Sequence, residues 1–172
     1  MKNIEKTFLL LLVILLGTSC TVQFDRYYNN QVSEFPNEFI GKYRFISSKK
    51  NHSDTTYIYI SKDSLVYHDK MFLNSGKLGK NFILSKGKKL YYFCQKDTFK
   101  QSVTWAVYPL KLTKNNLIVY VLDAEHYKKY FNKHFEIIDS KNDLYKMNEK
   151  AFDKLCDKKL SKKNSIKFLK IE

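Results

Sequence analysis

The residues of this chain that could ligate or react are few: Cys20, Cys94 and Cys156, and His52, His68, His126 and His134. A histidine beside an acid can hold a metal or act as an oriented base. His52-Ser53-Asp54 and His68-Asp69 are the two such neighbours. The first lies in a polar loop and the second ends a strand run, so both read as solvated or capping residues. His126 and His134 are eight apart and share a helix face poorly, and no metal site is expected. The serines are spread through turns and lack the strand-to-helix elbow of a serine hydrolase. No phosphate-cradling Gly-rich loop, dinucleotide fingerprint or paired-histidine zinc helix is present, and the five glycines are scattered. The pattern argues against a nucleotide or dinucleotide enzyme, and no cofactor is expected.

Cys94 falls in a strand run and Cys156 on an apolar helix stripe, where buried thiols behave as small hydrophobes with raised pKa values. The aromatic residues are the other lead: thirteen Tyr, thirteen Phe and one Trp. Val103, Trp105 and Val107 share one face of a strand, and Thr104, Ala106 and Tyr108 the other. In a small barrel such residues fill the interior, but a barrel of eight or more strands can also hold one apolar ligand. Trp105, Tyr108 and Tyr92 are the candidates for such a pocket.

The elements that must position these residues are mostly strands. Tyr43-Arg44-Phe45-Ile46 begins the pattern, then Thr56 to Ile60 and Leu65 to His68 flank a Ser61-Lys62-Asp63-Ser64 turn, a hairpin signature. Two further hairpins are expected around Lys86-Gly87-Lys88 and Lys114-Asn115-Asn116. Leu117 to Leu122 is apolar at both parities, as in a strand covered on both faces. Pro109 belongs at a bulge or an edge, since it has no N–H for the ladder. Asp123 can cap a short helix near 123–134 that places Tyr127, Tyr130, Phe131 and His134 on one face. A C-terminal helix is expected near 148–160, with Phe152, Leu155, Cys156 and Leu160 on one stripe. Phe135 to Ile138 with Leu144 to Met147 form another hairpin, and Ile166, Phe168 and Ile171 a closing strand. The fold class is mainly β, an antiparallel meander of about 8–10 strands closing into a barrel or sandwich.

The chain has 172 residues and a net charge of +14, of which 31 are Lys or Arg and 17 Asp or Glu. The basic residues are Lys apart from Arg26 and Arg44, and Lys lacks the bidentate fork that base recognition exploits. No nucleic-acid partner is expected. A cationic coat near anionic lipid would be attracted to it, each close Lys contributing about 1 kcal/mol; a solvated lysine surface is the plainer reading.

The start of the chain carries the sharpest signal. Lys2 and Lys6 precede an apolar run from Phe8 to Leu16, followed by Gly17-Thr18-Ser19 before Cys20. That is the layout of a signal peptide. Nine apolar residues extend only about 14 Å as a helix, short of a bilayer span. Leu16-Gly17-Thr18-Ser19-Cys20 resembles the lipobox of bacterial lipoproteins, in which the cysteine receives a diacylglyceryl group and the chain is cut just before it. Plain secretory cleavage after Ser19 also fits the small residues. The resemblance implies residues 1–19 as a signal peptide, Cys20 as the lipid attachment site and membrane anchoring through palmitate-like acyl chains. Residues 20–37, with Asn29, Asn30 and Pro36, read as a lipidated tether, and residues 38–172 as a single β-rich domain. With Cys20 acylated, two cysteines remain in an oxidising compartment, and a Cys94–Cys156 disulfide is one expectation.

Thr21 stands where an Asp would resemble an inner-membrane retention signal, which implies an outer-membrane destination. The Lys-, Asn- and Ile-rich composition resembles lipoproteins of Bacteroidota, and the single acid of residues 21–26 favours the periplasmic face. The meander with a late helix resembles lipocalin-like domains in layout, with Gly41 two residues before Tyr43 in the first strand. The functional expectation is a membrane-anchored envelope lipoprotein whose non-catalytic β domain binds a hydrophobic ligand or a partner protein. The alternative is an enzyme acting on envelope lipid or glycan.

Overall fold

A computed structural model of the chain describes residues 21–46, 56–68, 73–99 and 102–172. The segment expected to be a signal peptide and Cys20, together with His52, Asp54 and Asp69, lie outside the described residues.

The strands are β1 (Gln23–Phe24), β2 (Gln31–Val32), β3 (Gly41–Phe45), β4 (Tyr57–Ile60), β5 (Ser64–His68), β6 (Leu73–Lys77), β7 (Phe82–Lys86), β8 (Tyr91–Phe99), β9 (Ser102–Leu112) and β10 (Asn116–Tyr120). Helix α1 (Ala124–His134), β11 (Ile137–Asp139), β12 (Leu144–Tyr145), helix α2 (Glu149–Lys158) and β13 (Ser165–Lys170) follow. All the strands hydrogen-bond into one sheet that curls into a half-barrel, mainly β as the sequence indicates.

Local chemistry explains the hairpins. In β4, Ile58 and Ile60 are buried while Tyr59 is 51% exposed, the period of two that a half-buried strand requires. The turn after it is closed by the Ser61 N–H donating to Ser64 O at 3.0 Å and by a 2.6 Å bond between the two hydroxyls. The strands around Lys86-Gly87-Lys88 pair as β7 and β8, and those around Lys114-Asn115-Asn116 as β9 and β10.

Strand β9 is the spine of the sheet. β8 pairs with it from Ser102 to Leu110 on one side. The other side is shared: β1 pairs at Trp105 and Ala106, and β10 at Leu110 to Leu112. Pro109 falls between those two stretches, where neither neighbour needs its missing N–H. It therefore sits at a local edge inside a central strand.

Because side chains alternate along a strand, β8 and β9 serve two cores. Tyr92, Cys94, Trp105 and Val107 face a cluster built with Phe24, Tyr127, Phe131, Phe152 and Leu155, so the helices cover this face. Leu110 faces the second cluster with Leu84, Leu117, Tyr43, Ile58, Ile60 and Phe168, and Tyr91 and Phe93 pack against it. Residues from β3, β4, β7, β9, β10 and β13 meet there because the sheet curls around it. Two capped helices complete the fold. Asp123 Oδ1 accepts from Glu125 N at 2.9 Å at the start of α1, and Asn148 Oδ1 from Ala151 N at 3.1 Å at the start of α2.

The segment read as a tether is corrected by its packing. Val22 and Phe24 are wholly buried, and Tyr28 and Phe35 nearly so. β1 lies between β9 and β12, antiparallel to the first and parallel to the second. The Phe24 ring contacts those of Phe131, Phe135 and Phe152 at 6.0, 5.9 and 5.5 Å. Asn29, Asn30 and Pro36 are turn-forming residues. They serve to fold the segment back: Asn30 adopts φ 68 and its side chain donates to Lys86 O at 2.6 Å.

Candidate functional site

The most concentrated polar chemistry in the described residues lies beneath α2. Asp153 follows Phe152 on that helix and is only 9% exposed. Tyr28, carried in by the segment after β1, donates its hydroxyl to both carboxylate oxygens at 3.1 Å. Tyr92, from β8, donates to Oδ1 at 2.8 Å. The two phenol rings lie 4.6 Å apart, edge to face, and Tyr92 meets Phe152 at 5.1 Å. Ser85 Oγ donates to Tyr28 O at 2.6 Å, tying the same segment to β7. At the helix end, Arg26 pairs with Glu149 at 2.8 Å, and Asn29 N donates to the same carboxylate oxygen at 3.1 Å.

Electrostatics hold the protons on this cluster. Burial, then the Asp153 charge and hydrogen bond, push the Tyr28 phenol well above its ordinary 10.0. Burial dominates for Tyr92 too, with Cys156 and Asp153 raising it further. The Cys94 thiol is pushed by burial from 9.0 up to about 12, against hydrogen bonds involving the Tyr28 backbone and Ser85. Burial likewise raises Cys156, although its hydrogen bond with Tyr92 acts the other way. A nucleophile or general base at neutral pH needs the opposite shift or a pKa near the working pH. The arrangement instead makes a proton-donating clamp that joins α2, β8 and the N-terminal segment.

Cys94 and Cys156 are both free and buried, which corrects the disulfide expectation. They project into the same helix-covered core, but each sulfur has its own polar neighbours: Cys94 Sγ lies 3.8 Å from Tyr92 O, and Cys156 sits beside the Tyr92 hydroxyl.

Of the three pocket candidates, Tyr92 and Trp105 belong to the helix-covered core, where Trp105 meets Tyr27 edge-on at 5.1 Å. Tyr108 alternates to the other face of β9, where burial raises its phenol to about 12 against a hydrogen bond with Thr21. Within the second cluster the rings pack on one another. Phe39 packs edge-on against Tyr91 at 5.2 Å, Phe35 lies parallel to Phe93 at 6.5 Å, and Tyr43 Oη donates to Phe39 O at 2.8 Å. His68 and His126 are exposed, and the His134 ring lies tilted against that of Tyr130 at 4.4 Å. Among the described residues, no group of three or more His, Cys, Asp or Glu is placed to hold a metal ion.

Sequence reasoning missed Tyr28, hidden in the supposed tether, and Asp153. The signal for Asp153 was present: an acid flanking the apolar stripe of Phe152, Leu155 and Cys156.

The chain's point of entry into the domain is equally fixed. Thr21 forms an antiparallel bridge with Asp123, Val22 N donates to Leu122 O at 3.0 Å, and Gln23 N donates to Asp143 O at 3.1 Å. Among the described residues no helix is long and apolar enough to cross a membrane. Compared with protein-family models, curated proteins and solved structures, the chain matches none of them.

Proposed function

We propose that this protein is an envelope lipoprotein, anchored through acyl chains on Cys20, whose β domain is a non-catalytic module that binds a partner protein. The anchor rests on the Leu16 to Cys20 segment and the apolar run before it. Two or more acyl chains, at about 0.8 kcal/mol per buried CH₂, hold a protein stably to a bilayer. Outer-membrane attachment facing the periplasm is the destination that Thr21 and the sparse acids after it favour.

The observation that favours a protein partner over a stored ligand is the aromatic packing within the curl, where Phe35, Phe39 and Tyr43 are buried in one cluster with Ile58, Ile60 and Leu84. Strand β11 ends the strand order and leaves Ile137 and Ile138 44% and 49% exposed, an apolar edge of the kind a partner can cover.

Two measurements test the reading. Labelled palmitate fed to cells should enter the wild-type chain and not Cys20→Ala; label retained by the variant contradicts the anchor. Native mass spectrometry of the Cys20→Ala protein from its own host should show no bound small molecule. A co-purifying hydrophobic molecule would instead support the carrier reading.

A further inference from the structure

The structure fixes Thr21 to the body of the domain, and this determines how the domain must sit if Cys20 carries lipid. Thr21 is bridged to Asp123, Val22 is hydrogen-bonded to Leu122, and Val22 and Phe24 are buried to 0% exposure. One peptide unit, about 3.8 Å between Cα atoms, separates Cys20 from Thr21. The polar layer on each side of a bilayer is only about 5–7 Å thick. A lipid on Cys20 therefore leaves no slack for the domain to stand away from the headgroups.

Resting on the anchor reading, we infer that the face around Thr21 lies directly on the phospholipid headgroups and that Lys141, Lys162 and Lys163 contact them. The three lysines belong to segments hydrogen-bonded around the entry point. Gln23 N donates to Asp143 O at 3.1 Å, which places the 139–143 turn beside β1, and Val121 N donates to Asn164 O at 2.8 Å, which places the Lys162–Asn164 turn beside Leu122. All three lysines are exposed.

The acids of the same face are mostly engaged with the fold. Asp123 accepts from the amides of Glu125 and His126, and Asp139 accepts from the Lys141 amide at 2.9 Å and from Asn142 Nδ2 at 2.6 Å. Glu125 is exposed and Asp143 half-buried. The three exposed lysines can reach phosphate, and an anionic surface attracts each with about 1 kcal/mol, screened over about 8 Å.

The test uses the full-length protein purified with its lipid and reconstituted into vesicles of phosphatidylethanolamine and phosphatidylglycerol. A membrane-impermeant amine reagent is applied, and the labelling rate of each lysine is read by peptide mass spectrometry. Unlipidated Cys20→Ala protein in solution gives the baseline. Lys141, Lys162 and Lys163 should label several-fold more slowly on vesicles, while Lys62, Lys77 and Lys114, none of them in a segment bonded to Thr21, Val22 or Gln23, keep their rates. A twelve-residue Gly/Ser spacer between Cys20 and Thr21, with a root-mean-square reach of about 20 Å, should restore the three rates. Acylated protein whose three lysines label as fast as the baseline overturns the inference and leaves the anchor standing. Protein without acyl mass overturns the anchor and the inference with it.

Discussion

The Tyr92 hydroxyl donates to Asp153 Oδ1 at 2.8 Å, linking the central strand β8 to helix α2 through a carboxylate that Tyr28 also serves. Two phenols on one buried acid make the clamp a single unit. Hydrogen bonds to a charged group contribute about 1.5–3 kcal/mol each, and a buried acid that loses its donors also bears its desolvation cost. Tyr92→Phe should therefore lower stability by about 1.5–3 kcal/mol, and Asp153→Ala by at least as much. The two changes should be clearly non-additive in a double-mutant cycle. Urea unfolding at constant m-value reads this out; additive effects would show that the phenol and the carboxylate act separately.

Alkaline pH should weaken the fold. Tyr28 and Tyr92 are raised above 10.0, and Cys94 from 9.0 to about 12, so the folded state holds these protons longer than the unfolded chain does. Their contribution is fully present below about pH 9. It falls as pH rises, first through the thiol's unfolded value and then through that of the phenols. The urea midpoint should drop between pH 9 and 11, less steeply in Tyr92→Phe. A midpoint independent of pH across that window would contradict the assignment.

The thiols should be inert until the chain unfolds. In Cys20→Ala protein prepared without reductant, iodoacetamide should modify neither Cys94 nor Cys156 in the native state and both after denaturation, because each is buried and protonated. A mass unchanged after denaturing alkylation would mean a disulfide after all.

Phe24→Ala separates an integrated N-terminal segment from a tether. Removing a buried ring that touches three others should cost about 3–5 kcal/mol. The same change in a solvated linker would stay within about 0.5 kcal/mol. Thermal or urea unfolding distinguishes the two.

Much of the fold was legible because alternation and capping are local. Ile58, Tyr59 and Ile60 announce their faces, Ser61 to Ser64 the turn, and Asp123 and Asn148 the helix starts. What was not legible is non-local. The two-residue strands Gln23–Phe24 and Gln31–Val32 carry too little pattern to register alone and exist because β9, β12 and β7 already offer partners. The grouping of Tyr28, Tyr92 and Asp153 depends on residues 61 and 125 positions apart meeting beneath one helix. Alternation along β9 shows that Trp105 and Tyr108 face opposite ways, but not that the helices cover one side and the second cluster the other.

The proposed anchor at Cys20 would give the N-terminal packing its functional meaning, and it is tested by the intact mass and N-terminal peptide of the protein extracted from membranes. A mature chain that begins at Cys20 and carries acyl mass on that residue is expected. A chain beginning at Cys20 without acyl mass, or one retaining residues 1–19, would contradict it.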